Sequence, residues 1–150
     1  MPRLLIFGYG NPGRGDDGLG LELIERITSL NCTDVACQIG MQLQVEHVDD
    51  LQEHDQVLFI DADMSCNAPF EFSEVFPEKN DSYTSHAMNP AALLHAYRQV
   101  YKQDAPPAFL LRIRGYDFEL GESLSAQASA NLEAAAKLVY NVCASACMRA

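Results

Sequence analysis

Two short, unbroken apolar runs, Leu4-Leu5-Ile6-Phe7 and Val57-Leu58-Phe59-Ile60, constrain this chain more than any other feature. A strand with one wet face alternates apolar and polar residues, whereas a run without a polar position belongs to a strand buried on both faces. Such strands lie at the centre of parallel sheets, where crossover helices cover both sides. The intervening stretches agree with this. Leu19, Leu23, Ile24 and Ile27 recur at helical spacing in a helix running to about Ser29, with Asp16 or Asp17 available to cap it. Thr33 to Ile39 reads as a second strand and Val45 to Leu51 as a short helix, after which the third strand delivers Asp61 at its carboxyl end.

Phe70 to Phe76 alternates as an edge strand does, and Pro77 to Tyr83 is a polar loop. Asn89-Pro90 opens a helix with a side-chain cap followed by proline, and Leu93, Leu94, Tyr97 and Tyr101 form its apolar side. Ala108 to Ile113 is another strand, Gly115 to Gly121 a loop, and Leu124 to about Met148 a final alanine-rich helix. Alternating strands and helices predict an α/β protein: a three-layer α/β/α sandwich with a mostly parallel, twisted sheet of about five strands. A length of 150 residues, 48% hydrophobic, suits one domain over positions 1–150, without repeat or linker.

Charge narrows the partners. Ten Lys+Arg against 21 Asp+Glu give a net charge of -11, which repels phosphate backbones and anionic lipid. Nucleic acid is therefore not expected, and a basic or metal-bearing protein partner suits the charge better. No run approaches the length of a membrane span, and Met1 to Gly8 lacks the apolar core of a signal peptide, so no membrane insertion and a cytoplasmic location are expected. The odd set Cys32, Cys37, Cys66, Cys143 and Cys147 has no CxxC spacing and predicts buried free thiols, although Cys143 and Cys147 share a helix face.

Ligands of open α/β sheets bind beyond the carboxyl ends of the strands. Asp16, Asp17 and Asp61 fall there, and His86, just before a helix, can reach the same edge. Two carboxylates and an imidazole from separate elements suit a hard-to-borderline divalent metal with open positions, and zinc, nickel, manganese and iron all fit this donor set. Plainer roles compete: helix caps for Asp16 and Asp17, a turn for Asp61, a loop or cap for His86. His47, His54 and His95 read as surface residues.

Two other functions share parts of the pattern. Gly8-Tyr9-Gly10-Asn11-Pro12-Gly13 matches the GxGxxG of dinucleotide sites, but the helix then opens on Asp16 and Asp17, which repel a pyrophosphate, and the second strand ends in Gln38-Ile39-Gly40 without a ribose-binding acid. A phosphoacceptor receiver module also uses an acidic pair and a later Asp, like Asp16, Asp17 and Asp61. There the pair follows the strand directly, whereas here a glycine loop intervenes, and no lysine ends Ala108 to Ile113. HExxH and GxSxG protease motifs are absent.

Gly8 to Gly20 also fits GxGNxxxxDDGxG at every fixed position, and in this the chain resembles the hydrogenase maturation endopeptidases. The resemblance extends through Gln42-Leu43 with Glu46, Ile60-Asp61-Ala62, and Ser85-His86-Ala87-Met88-Asn89-Pro90, similar to the family's SHxxSP segment with Asn89 in place of serine. It implies an α/β/α sandwich that removes the C-terminal extension of a nickel-iron hydrogenase large-subunit precursor once nickel is in place. Its metal-contacting positions fall on Asp17, Asp61 and His86, which are also the implied catalytic residues, with Asp17 or Asp61 as base and Asp16 as a cap or supporting group. Nickel would come with the precursor, other divalent metals being possible substitutes in vitro, and the family is often grouped with aspartic endopeptidases. The chain is expected to act as a monomer.

Overall fold

A computed structural model describes residues 3–79 and 88–145. Five strands form one sheet: β1 (Leu4–Tyr9), β2 (Val35–Gly40), β3 (Gln56–Asp63), β4 (Phe70–Val75) and β5 (Ala108–Arg114), in the order β2-β1-β3-β5-β4. The first four in that order pair in parallel, and β4 closes the edge antiparallel to β5. Layers of helix lie on both faces, so the expected three-layer, mostly parallel sandwich is the architecture observed.

The two-residue period of a strand sends alternate side chains to opposite layers. Leu4, Ile6, Leu58, Ile60, Leu111 and Ile113 pack with α1 (Leu19–Thr28) and α4 (Ala126–Ser145). Leu5, Phe7, Val57 and Phe59 pack on the other side with α2 (Val48–Leu51) and α3 (Pro90–Tyr101). Phe7 and Phe59, both fully buried, anchor this second layer, each worth roughly 1.5–3 kcal/mol of apolar burial. On β4 Phe72 stacks on Phe109 at 5.5 Å, while the consecutive Ser73 and Glu74, which face opposite sides of the sheet, are both exposed, so the expected alternation holds only in the first half of the strand.

Helix α3 starts as its sequence predicts, with Asn89 Oδ1 accepting the Ala92 amide at 2.7 Å and Pro90 next in line. Just before it, the Met88 amide donates to the Leu43 carbonyl at 3.2 Å. Helix α4 begins at Ala126 rather than near Leu124, because the Ser125 hydroxyl accepts the Ala128 amide at 3.2 Å and sets the start. Its expected end near Met148 lies outside the described residues, as does Cys147. Cys32, Cys37, Cys66 and Cys143 are free thiols; Cys66 and Cys143 are buried, Cys32 and Cys37 half-buried, and burial pushes the Cys143 thiol up to about 12. Among the described residues no helix is long and apolar enough to cross a membrane.

Candidate functional site

At the carboxyl end of β1 the chain turns back over the sheet. Gly10 has φ 146°, and a Cβ there would lie 2.0 Å from the Asp17 carbonyl oxygen, so glycine is required. The start of α1 then comes down against the strand ends: a Cβ on Gly20 would lie 2.9 Å from the Ile60 carbonyl oxygen and 3.0 Å from that of Tyr9. This close approach brings the acidic turn Gly15–Gly18 beside β3.

The two adjacent acids of that turn part company. Asp16 is 0% exposed, and its carboxylate accepts the Tyr116 amide at 2.7 Å, the Asp117 amide at 3.0 Å, the Ser125 amide at 2.7 Å and the Ser125 hydroxyl at 2.8 Å. Burial alone would raise its pKa, but these four donors stabilise the anion and hold it below the usual carboxylate range. Asp17 is half-buried and accepts the Asn11 amide at 2.8 Å through Oδ2. Neither acid caps the turn or α1 with its side chain, contrary to the sequence expectation, because Asp16 is drawn into the β5–α4 connection and Asp17 closes the glycine loop.

Asp61 lies near the end of β3, half-buried, on the face shared with Phe59 and Tyr9. Its carboxyl is pushed up to about 7, first by burial and then by the Asp17 charge, with the Ala62 amide opposing. Burial, with Asp61 adding to it, holds the Tyr9 hydroxyl well above its ordinary value. Asp17, Asp61 and Tyr9 thus form one electrostatic neighbourhood. Two like charges brought together at a partly dry edge are an arrangement that a cation relieves.

A polar row flanks Asp61. In register across the sheet, Asp61 pairs with Arg112 and Arg112 with Glu71. Arg112 Nη1 donates to Asp63 Oδ2 at 3.1 Å and Nη2 to Glu71 Oε2 at 2.6 Å. Arg114 donates to the Cys66 carbonyl at 2.9 Å and lies 4.9 Å over the Tyr116 ring. Sequence reasoning did not single out Asp63, Glu71 or Arg112. The available signal was the spacing of Asp61-Ala62-Asp63 and of Arg112 within an apolar strand, which puts each set on one face.

His86 lies outside the described residues, so its place relative to Asp17 and Asp61 is not described. Among the described residues no three His, Cys, Asp or Glu side chains gather as a metal-ligand group. His47, expected at the surface, is half-buried instead: its ring meets Phe7 edge-on at 4.8 Å, and its Nδ1 accepts the Gln44 amide at 2.9 Å.

The glycine loop has little left for a nucleotide. The amides of Gly10, Asn11, Gly13, Arg14, Gly15, Asp16 and Asp17 are bonded to Gly40 O, Asp17 Oδ2, Asn11 Oδ1, Asn11 O, Glu122 O, Asp117 O and Arg14 O. A pyrophosphate needs such amides free. Burial of Asp16 likewise removes one member of the acidic pair that a receiver module needs.

No family model matches the chain, and no curated protein matches it by sequence. Solved structures match it in fold. The NiFe hydrogenase maturation protease HycI from Thermococcus kodakarensis KOD1 superposes with a TM-score of 0.72 at 23% identity, over 94% of this chain and 92% of that one. The hydrogenase maturating endopeptidase HybD from E. coli gives a TM-score of 0.74 at 20% identity, covering 95% and 93%. The hydrogenase 2 maturation peptidase from Thaumarchaeota archaeon SCGC_AB-539-E09 gives 0.68 at 22%, covering 93% and 97%. The chain shares the fold of these endopeptidases along nearly its whole length.

Proposed function

We propose that the chain is a hydrogenase maturation endopeptidase, which removes the C-terminal extension of a nickel-iron hydrogenase large-subunit precursor after nickel insertion. The observation that carries this is the division of the acidic pair. Asp16 is spent inside the fold, and Asp17 is left beside Asp61 at the sheet edge, behind a glycine loop whose amides are already used. Fold likeness to solved maturation proteases supports the same assignment.

Asp17, Asp61 and His86 contact the nickel that the precursor carries, so that only a loaded precursor binds well. Oxygen and imidazole donors suit that borderline ion. When bound, nickel would polarise the scissile carbonyl. Asp17 or Asp61 would then serve as base for a water molecule. Around the site, Met64 and Leu120 are exposed, and the loop bearing Leu120 is tied to the glycine loop by the Gly121 amide on the Gly13 carbonyl at 2.7 Å. These apolar side chains offer contacts for the precursor. We place the reaction in the cytoplasm, carried out by a monomer.

The test is coexpression of the precursor with Asp17→Ala, Asp61→Ala or His86→Ala. Each variant is expected to leave the large subunit at its unprocessed size. Normal processing by all three would overturn the site.

A further inference from the structure

Asp61, Arg112 and Glu71 are register partners in one row across β3, β5 and β4, so Arg112 stands between two acids. Adjacent strands are about 4.8 Å apart, and opposite charges directly across a ladder attract. Either acid is therefore a natural partner for the guanidinium. Its bonds nevertheless go to Glu71 Oε2 at 2.6 Å and, one step along the β3 face, to Asp63 Oδ2 at 3.1 Å.

Each of these two acids is itself held by a local turn. Asp63 Oδ1 accepts the Ser65 amide and hydroxyl, both at 2.7 Å, and Glu71 Oε1 accepts the Asn67 side-chain amide at 3.1 Å. Both carboxylates therefore divide their oxygens, one to the 65–67 turn and one to Arg112. That arrangement leaves one oxygen of each carboxylate for the guanidinium.

We infer that Asp63 and Glu71 are positioning residues that hold the Arg112 guanidinium off Asp61, keeping the Asp61 carboxylate open to a metal cation. The inference rests on the proposed metal contact at Asp61 and adds a new role for three residues that touch neither metal nor substrate. Without the clamp, Arg112 swings onto Asp61 and occupies it with an internal cation.

The divided oxygens supply the test. Asp63→Asn and Glu71→Gln each keep the oxygen used by the turn and replace the one used by Arg112 with an NH2 group that cannot accept. In a crystal structure of the double variant the guanidinium is expected within hydrogen-bond distance of Asp61. By calorimetry, Ni2+ alone should bind about tenfold more weakly than to the wild type, and adding Arg112→Gln should restore the affinity. A guanidinium that stays beside positions 63 and 71, an unchanged Ni2+ affinity, or a loss that Arg112→Gln does not reverse each overturns the inference. If the double variant does not fold, Glu71→Gln alone, which leaves the Asp63 bond in place, should show a smaller loss of Ni2+ affinity that Arg112→Gln again reverses, and an unchanged affinity overturns the inference. A wild type that binds no Ni2+ defeats the proposed metal contact instead, and the position of the guanidinium still decides the clamp.

Discussion

Asp16 and Ser125 are joined twice across 109 positions, the Ser125 amide on Oδ1 at 2.7 Å and its hydroxyl on Oδ2 at 2.8 Å, so one carboxylate ties the turn before α1 to the start of α4. With Asp16 fully buried, Asp16→Ala strands three backbone amides and a hydroxyl, a loss on the order of 3–5 kcal/mol. Urea denaturation measures it. Asp16→Asn should also destabilise, because its NH2 group must face a donor on one side.

The same carboxylate makes a pH prediction. Its folded-state pKa lies below the unfolded value of 3.8, so its stabilisation is complete above that value and is lost as pH falls through the folded pKa. Acid titration of the wild type and of Asp16→Asn, followed by circular dichroism, should show stability curves that converge only at low pH, below 3.8.

Asp61 carries the opposite sign. With its carboxyl raised from 3.8 to about 7, the native state holds a proton that the unfolded chain gives up, so this residue costs stability as pH rises across that window. In metal-free buffer with chelator, Asp61→Asn should therefore be more stable than wild type. The gain should grow from about pH 4 to pH 7 and be level above, reaching on the order of 2 kcal/mol, below the ~4 kcal/mol that the whole shift would give. A gain that is independent of pH would show that burial, not ionisation, sets the cost.

The contrast between these two acids marks how far the amino-acid order alone was informative. The apolar runs of β1 and β3 and the helical spacing in α1 are local periodicities, and the elements followed them closely. Asp16 and Asp17 differ in nothing local. What separates them is Ser125 and the 116–117 amides, groups that arrive only when β5 and α4 are in place. Strand order was equally hidden: β5 enters between β3 and β4, which puts Arg112 in a row with Asp61 and Glu71 that no window of sequence contains.

Gly10 tests the loop that presents Asp17. Its φ of 146° and the 2.0 Å approach of a Cβ to the Asp17 carbonyl leave Ala no unstrained position. Gly10→Ala should cost at least ~2 kcal/mol and displace Asp17. Proteolysis of the large-subunit precursor should fall further than the loss of stability accounts for, a comparison made by assaying at a temperature where the variant is still folded. Wild-type processing with intact stability would show that the loop tolerates a side chain.

Asn89 stands where the family resembled has serine, and its geometry accounts for the exchange. The side-chain oxygen accepts the Ala92 amide at 2.7 Å from a residue with φ -93° and ψ 167°, the extended backbone of an N-cap, with Pro90 following. Asparagine and serine are near-equal in that position, since either supplies one oxygen to an amide two or three residues on. Asn89→Ser should therefore leave the thermal midpoint nearly unchanged, while Asn89→Ala should lose about 1 kcal/mol, or roughly 2–4 °C for a chain of this size. Differential scanning calorimetry on the pair decides it: equal losses for serine and alanine would mean that Asn89 acts through something other than its cap.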